Sequence, residues 1–118
     1  MFFMTEIGFD CQQGKSREMQ TWLRDNQAKL AKAAPAGWEY VGTFSTVLDS
    51  EKGANYRQVW KHSSYGDMDA WAAAMREGGD FAKIYDEFTT TFIDEGREAH
   101  WSNTTLKAVT DTSIWGQG

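Results

Sequence analysis

The sequence predicts one α+β domain in which helices cover a single face of a four-stranded antiparallel sheet. Three observations predict it. Four separated segments alternate apolar and polar residues with a strand's period of two, and amphipathic helical stretches lie between them. The chain's 118 residues are one domain's worth of sequence. The order strand, helix, strand, strand, split helix, strand is that of a ferredoxin-like βαββαβ unit.

Residues 2–11 read FFMTEIGFDC, and Phe3, Thr5, Ile7 and Phe9 alternate with Met4, Glu6, Gly8 and Asp10, which predicts the first strand. Gln12, Gln13 and Gly14 are turn-like, and the hydroxyl of Ser16 can cap a helix over residues 16–34. In that helix Met19, Trp22, Leu23, Leu30, Ala33 and Ala34 form the apolar stripe. Pro35 stops it, because proline disfavours a helical residue before it and has no N–H to donate.

Residues 38–48, WEYVGTFSTVL, are rich in aromatic and β-branched side chains and predict the second strand. A polar loop over residues 49–53 leads into a third strand, 55–63, antiparallel to the second, with Tyr56, Gln58, Trp60 and His62 on one face. Residues 67–76 predict a helix presenting Met68, Trp71, Ala72 and Met75, ended by Gly78 and Gly79. Asp80 is placed to cap a second piece, in which Phe81, Ile84, Tyr85, Phe88 and Phe92 keep helical spacing. Strand character returns over 97–109, so the domain is expected to span residues 1–109, with 110–118 a loosely held tail whose Trp115 could dock.

Composition narrows the function. The net charge is −5 with Lys and Arg scattered, so no electrostatic footprint for nucleic acid or an acidic membrane is expected. No apolar run approaches the length of a membrane span, and the apolar start is broken at Glu6 without the features of a signal peptide. A cytoplasmic location is the expectation. Cys11 is the only cysteine, which excludes an internal disulfide or a multi-thiolate zinc site. Both faces of the predicted sheet carry apolar residues: Phe3, Ile7 and Phe9 against Phe2 and Met4, and Trp38, Tyr40 and Phe44 against Val41 and Val47. The uncovered face predicts a homodimer closed by two-fold symmetry.

E-I-G-F at residues 6–9, Gly14-Lys15, G-W-E-Y-V-G-T-F at 37–44, V-W-K-H-S-S-Y-G-D-M-D-A at 59–70 and F-A-K-I-Y at 81–85 resemble NIPSNAP-like proteins. That resemblance implies the dimeric α/β barrel superfamily, which also contains antibiotic-biosynthesis-type monooxygenases. Two positions depart from the pattern: Gln13 stands where a proline is usual, and His62 where an aromatic such as tyrosine is expected. Haem-degrading members would be matched by Trp60, but they also need a histidine on the second helix, and residues 67–94 contain none.

His62 and His100 are the only imidazoles, the side chains suited to proton transfer near neutrality. His62 is the candidate catalytic residue, and a structural, hydrogen-bonded histidine is its other reading. His100 has weaker company. Strand order puts the two about six residues apart along the sheet, roughly 20 Å, too far for one metal within a protomer, so no metal is expected. Tyr56, Trp60, Tyr65 and Trp71 are candidate lining residues of an aromatic pocket, although Trp71 with Met68 and Met75 also reads as core. Cys11 reads as a small apolar residue, no phosphate-loop glycine pattern occurs, and Asp67 and Asp69 fit a helix dipole.

Two functions follow. The resemblance implies a small dimeric enzyme, monooxygenase-like and cofactor-free, acting on an apolar or aromatic small molecule with His62 moving a proton. The alternative is a non-catalytic homodimer that binds a small ligand or a protein. A water-accessible His62 in a cavity favours the first; a cavity filled by Trp60 and Tyr40 favours the second.

Overall fold

The computed structural model describes residues 2–109, so the expected tail and its Trp115 lie outside the described residues. The elements are β1 (Phe3–Phe9), α1 (Ser16–Ala33), β2 (Trp38–Ser45), β3 (Tyr56–His62), α2 (Asp67–Glu77), α3 (Asp80–Phe92) and β4 (Trp101–Lys107). The sheet order is β2-β3-β1-β4, antiparallel throughout, with the helices on one face: the ferredoxin-like α+β fold. No helix among the described residues is long and apolar enough to cross a membrane.

Alternation in β1 decides which residues meet the helices. Phe3, Thr5, Ile7 and Phe9 point inward and are all buried. Across the central pair they stand opposite His62, Trp60, Gln58 and Tyr56 of β3. Two aromatic clusters result. One gathers Ile7, Leu30, Trp38, Trp60, Phe81 and Tyr85. The other, at the opposite end of β1, gathers Phe9, Met19, Phe88, Phe92 and Ile93.

The second strand differs from its expected reading. The register slips between Tyr40 and Gly42, a β-bulge that leaves Val41 as the extra residue. Tyr40 therefore faces inward opposite Trp60, while Phe44 pairs with Arg57 and faces outward, half exposed. The strand also stops at Ser45: Thr46 donates its N–H to the Asn55 carbonyl (2.7 Å) and its hydroxyl to the Ala54 carbonyl (2.9 Å). Beyond that rung the chains part, and Val47 and Leu48 lie exposed in the loop.

The outer sheet face is only partly apolar. Phe2 and Val59 are buried there and Phe44 and Leu106 half exposed, but Arg57 bridges Glu6 (3.2 Å) and Asp49 (2.9 Å) beside them. Two expected caps are not made. Ser16 is the first residue of α1, and its hydroxyl accepts a hydrogen bond from Tyr56 (3.1 Å). Asp80 likewise lies inside α3, and Gly79 takes the cap position in extended backbone. Gly78 closes α2 with φ +67°, a left-handed conformation that glycine adopts without steric cost.

Candidate functional site

The His62 end of the sheet is built by one row of residues running across three strands. Trp38, His62 and Phe3 are successive partners, and their rings stack: Trp38 on His62 at 4.1 Å and His62 on Phe3 at 5.4 Å between centroids. His62 is 2% exposed. Its Nε2 is 2.9 Å from the Thr5 hydroxyl and its Nδ1 is 3.2 Å from the Ser64 carbonyl. The Thr5 hydroxyl also bonds Thr105 on β4 (3.0 Å).

Asp67 ties this row to α2. Its carboxylate accepts the N–H groups of Ser63 (2.9 Å) and Ser64 (2.9 Å) and the Ser63 hydroxyl (3.0 Å). Its own carbonyl accepts the Trp38 indole N–H. Partial burial alone would raise this carboxyl, but those hydrogen bonds, with His62 nearby, bring it below its ordinary 3.8. Asp67 therefore staples the β3–α2 turn, a role more specific than the helix-dipole interaction expected for it. Gly37, at φ +85°, makes room for it: any Cβ there would collide with the Asp67 carboxylate.

Between this row and the helices lies a cavity of about 180 Å³. Thr5 and Ile7 of β1 and Trp101 and Asn103 of β4 form its floor, Trp38 a side wall, and Met68 and Trp71 of α2 with Tyr85 of α3 its roof. The lining is mainly apolar with a few polar groups, the composition of a small-molecule site. Burial first, then the neighbouring Tyr40, pushes the Tyr85 phenol well above its ordinary value, so it is a neutral hydrogen-bonding group. A larger hollow of about 530 Å³ lies between α1 and α3, but its walls set Lys29, Lys32 and Lys83 against Asp80 and Glu87. That mixed charge and openness make it a solvated groove.

Of the residues expected to form a site, Trp71 lines the cavity. Trp60 is fully buried behind it, 5.0 Å from the Trp71 ring, with its indole N–H on Gln58 (2.8 Å). Tyr56 lies at the other end of β3 against Phe9 (5.7 Å), and Tyr65 is 65% exposed, tilted over Phe3. His62 does not reach the cavity itself; Thr5 stands between. His100 sits at the far end of β1, where Asp10 accepts its backbone N–H (2.9 Å) and pairs with its Nδ1 (2.8 Å). Cys11 bridges to Ile93, and burial pushes its thiol up. Sequence reasoning missed Thr5, although it is the one hydroxyl in the inward row Phe3, Thr5, Ile7, Phe9.

No protein-family model matches this sequence, and no match to it was found among curated proteins. Solved structures do match its fold. An uncharacterized NIPSNAP-like domain protein from Burkholderia xenovorans aligns with TM-score 0.66 and 12% identity, over 95% of this chain and 89% of that one. A Dabb family protein with a ferredoxin-like fold from Mesorhizobium loti aligns with TM-score 0.60 and 9% identity, over 92% and 97%. A candidate antibiotic biosynthesis monooxygenase from Caulobacter crescentus aligns with TM-score 0.52 and 22% identity, over 92% and 90%. The chain thus has the ferredoxin-like fold that NIPSNAP-like and monooxygenase-like proteins share.

Proposed function

We propose that this chain forms a homodimer, in the manner of a dimeric α/β barrel, in which each protomer binds one apolar or aromatic small molecule between sheet and helices. The observation that carries the reading is the cavity under Trp71, whose walls are indole, phenol and aliphatic side chains with Thr5 and Asn103 among them. Homodimerisation is supported by the outer sheet face, where Phe44 and Leu106 are half exposed beside Phe2 and Val59. Native mass spectrometry of freshly purified protein tests both parts. A two-subunit mass carrying a small-molecule adduct supports them, and a bare monomer contradicts the dimer.

Binding without turnover is the first reading, because Trp60 and Tyr40 fill the space in front of β3 and His62 is sealed from water. One observation favours the second, a cofactor-free, monooxygenase-like enzyme: Thr5 links the cavity to His62 Nε2, a path by which a bound molecule could lose a proton. Oxygen uptake with an electron-rich aromatic substrate tests it. Uptake that persists in His62→Ala removes His62 from the chemistry.

A further inference from the structure

We propose that Thr5 is the specificity-determining residue of the cavity, accepting a hydrogen bond and so selecting apolar occupants that carry an N–H or O–H donor. The inference rests on the cavity being a binding site, as read above. Its ground is the direction of three hydrogen bonds. The Ser64 carbonyl can only accept, so His62 Nδ1, 3.2 Å away, carries the ring proton. A neutral imidazole has one N–H, which leaves Nε2 a bare acceptor. The Thr5 hydroxyl, 2.9 Å from Nε2, must then donate its single proton there.

With its proton spent, Thr5 can only accept elsewhere. Thr105, 3.0 Å away, donates to one of its lone pairs. A hydroxyl oxygen has two, and we assign the second to the cavity that Thr5 lines. Of the other polar groups there, the Trp38 N–H is already given to the Asp67 carbonyl, the Asn103 amide and the Tyr85 phenol can each donate or accept, and the Trp71 and Trp101 indole N–H groups, which only donate, place no demand on the atom that meets Thr5. A donor on the occupant satisfies Thr5; an acceptor in the same place meets lone pair with lone pair.

Indole and benzofuran test this, since they share one bicyclic outline and differ in presenting N–H or only an oxygen lone pair. Calorimetric titration of the full chain at pH 8 should give indole roughly tenfold tighter binding than benzofuran. Thr5→Val should bring the two together, and Thr5→Ser should keep them apart. Equal affinities in the unaltered protein, or a preference undiminished in Thr5→Val, overturn the inference alone. Binding of neither overturns the cavity reading and the inference with it. Nitrogen NMR of His62 gives a check that needs no variant: the Nδ1–H tautomer is expected, and an Nε2–H tautomer overturns the assignment.

Discussion

The two ends of β1 carry the same kinds of side chain to different ends. Around Phe9 the rings close on one another: Phe88 meets Phe9 edge-on at 5.6 Å, and Met19 and Ile93 fill the remaining gaps. Around Thr5 the cluster is made of stiff indoles and phenols in near-perpendicular contact, Trp71 on Trp60 at 88° and on Tyr85 at 83°. Edge-to-face contact occurs at both ends; what differs is that at the Thr5 end the inward row of β1 places a hydroxyl-bearing residue against a lined cavity. One end of the sheet is a sealed core and the other a lined cavity.

The histidines repeat the contrast. His62 is enclosed, stacked and bonded to uncharged groups, whereas His100 has 52% of its side chain exposed and faces the Asp10 carboxylate. Burial alone would raise the Asp10 carboxyl, but the N–H groups of His100 and Asn55, with the His100 ring, bring it below its ordinary 3.8. Asp10 thus pins three segments at the sealed end, as Asp67 pins the turn at the open end.

The largest expected effect that distinguishes these regions is at Trp60, fully buried beneath the cavity. Trp60→Ala should lower stability by about 3–5 kcal/mol in denaturant titration, because the void merges with an existing cavity that cannot collapse. His62→Ala comes next, at about 2–3 kcal/mol, since it removes a stacked ring and leaves the Thr5 donor without its acceptor. His100→Ala should cost only about 0.5 kcal/mol, the scale of an exposed ion pair. If the two histidine variants cost the same, the contrast between the ends fails.

Asp67→Asn sharpens the comparison through pH. A carboxyl held low in the folded chain adds stability that is fully present above its ordinary 3.8 and is lost as pH falls through the lowered value. The unaltered protein should therefore outlast Asp67→Asn at neutral pH, and the gap should close in thermal melts below that range. A gap that persists in strong acid would assign the stabilisation to packing instead.

Much of the fold was legible because alternation in β1 and β3 states directly which residues face the helices, and proline and paired glycines mark where helices end. The bulge at Val41 was signalled only by Gly42, a glycine inside a β-rich run, and one glycine does not by itself say which way the period shifts. That shift turned Phe44 outward against expectation. Capping by Ser16 and Asp80 failed for a related reason, since each hydroxyl or carboxyl can also sit one residue inside the helix. Of the cavity, only Trp71 was visible as a pocket candidate, because the site is made by α2 lying over β1 and β4, elements far apart in the chain.

The central claim is that the cavity beneath Trp71 is where this protein binds. A crystal structure of the protein soaked with indole tests it most directly. The account predicts indole between Trp38, Trp71 and Ile7 with its N–H on the Thr5 hydroxyl; indole seated only in the α1–α3 groove or on the outer sheet face would contradict it.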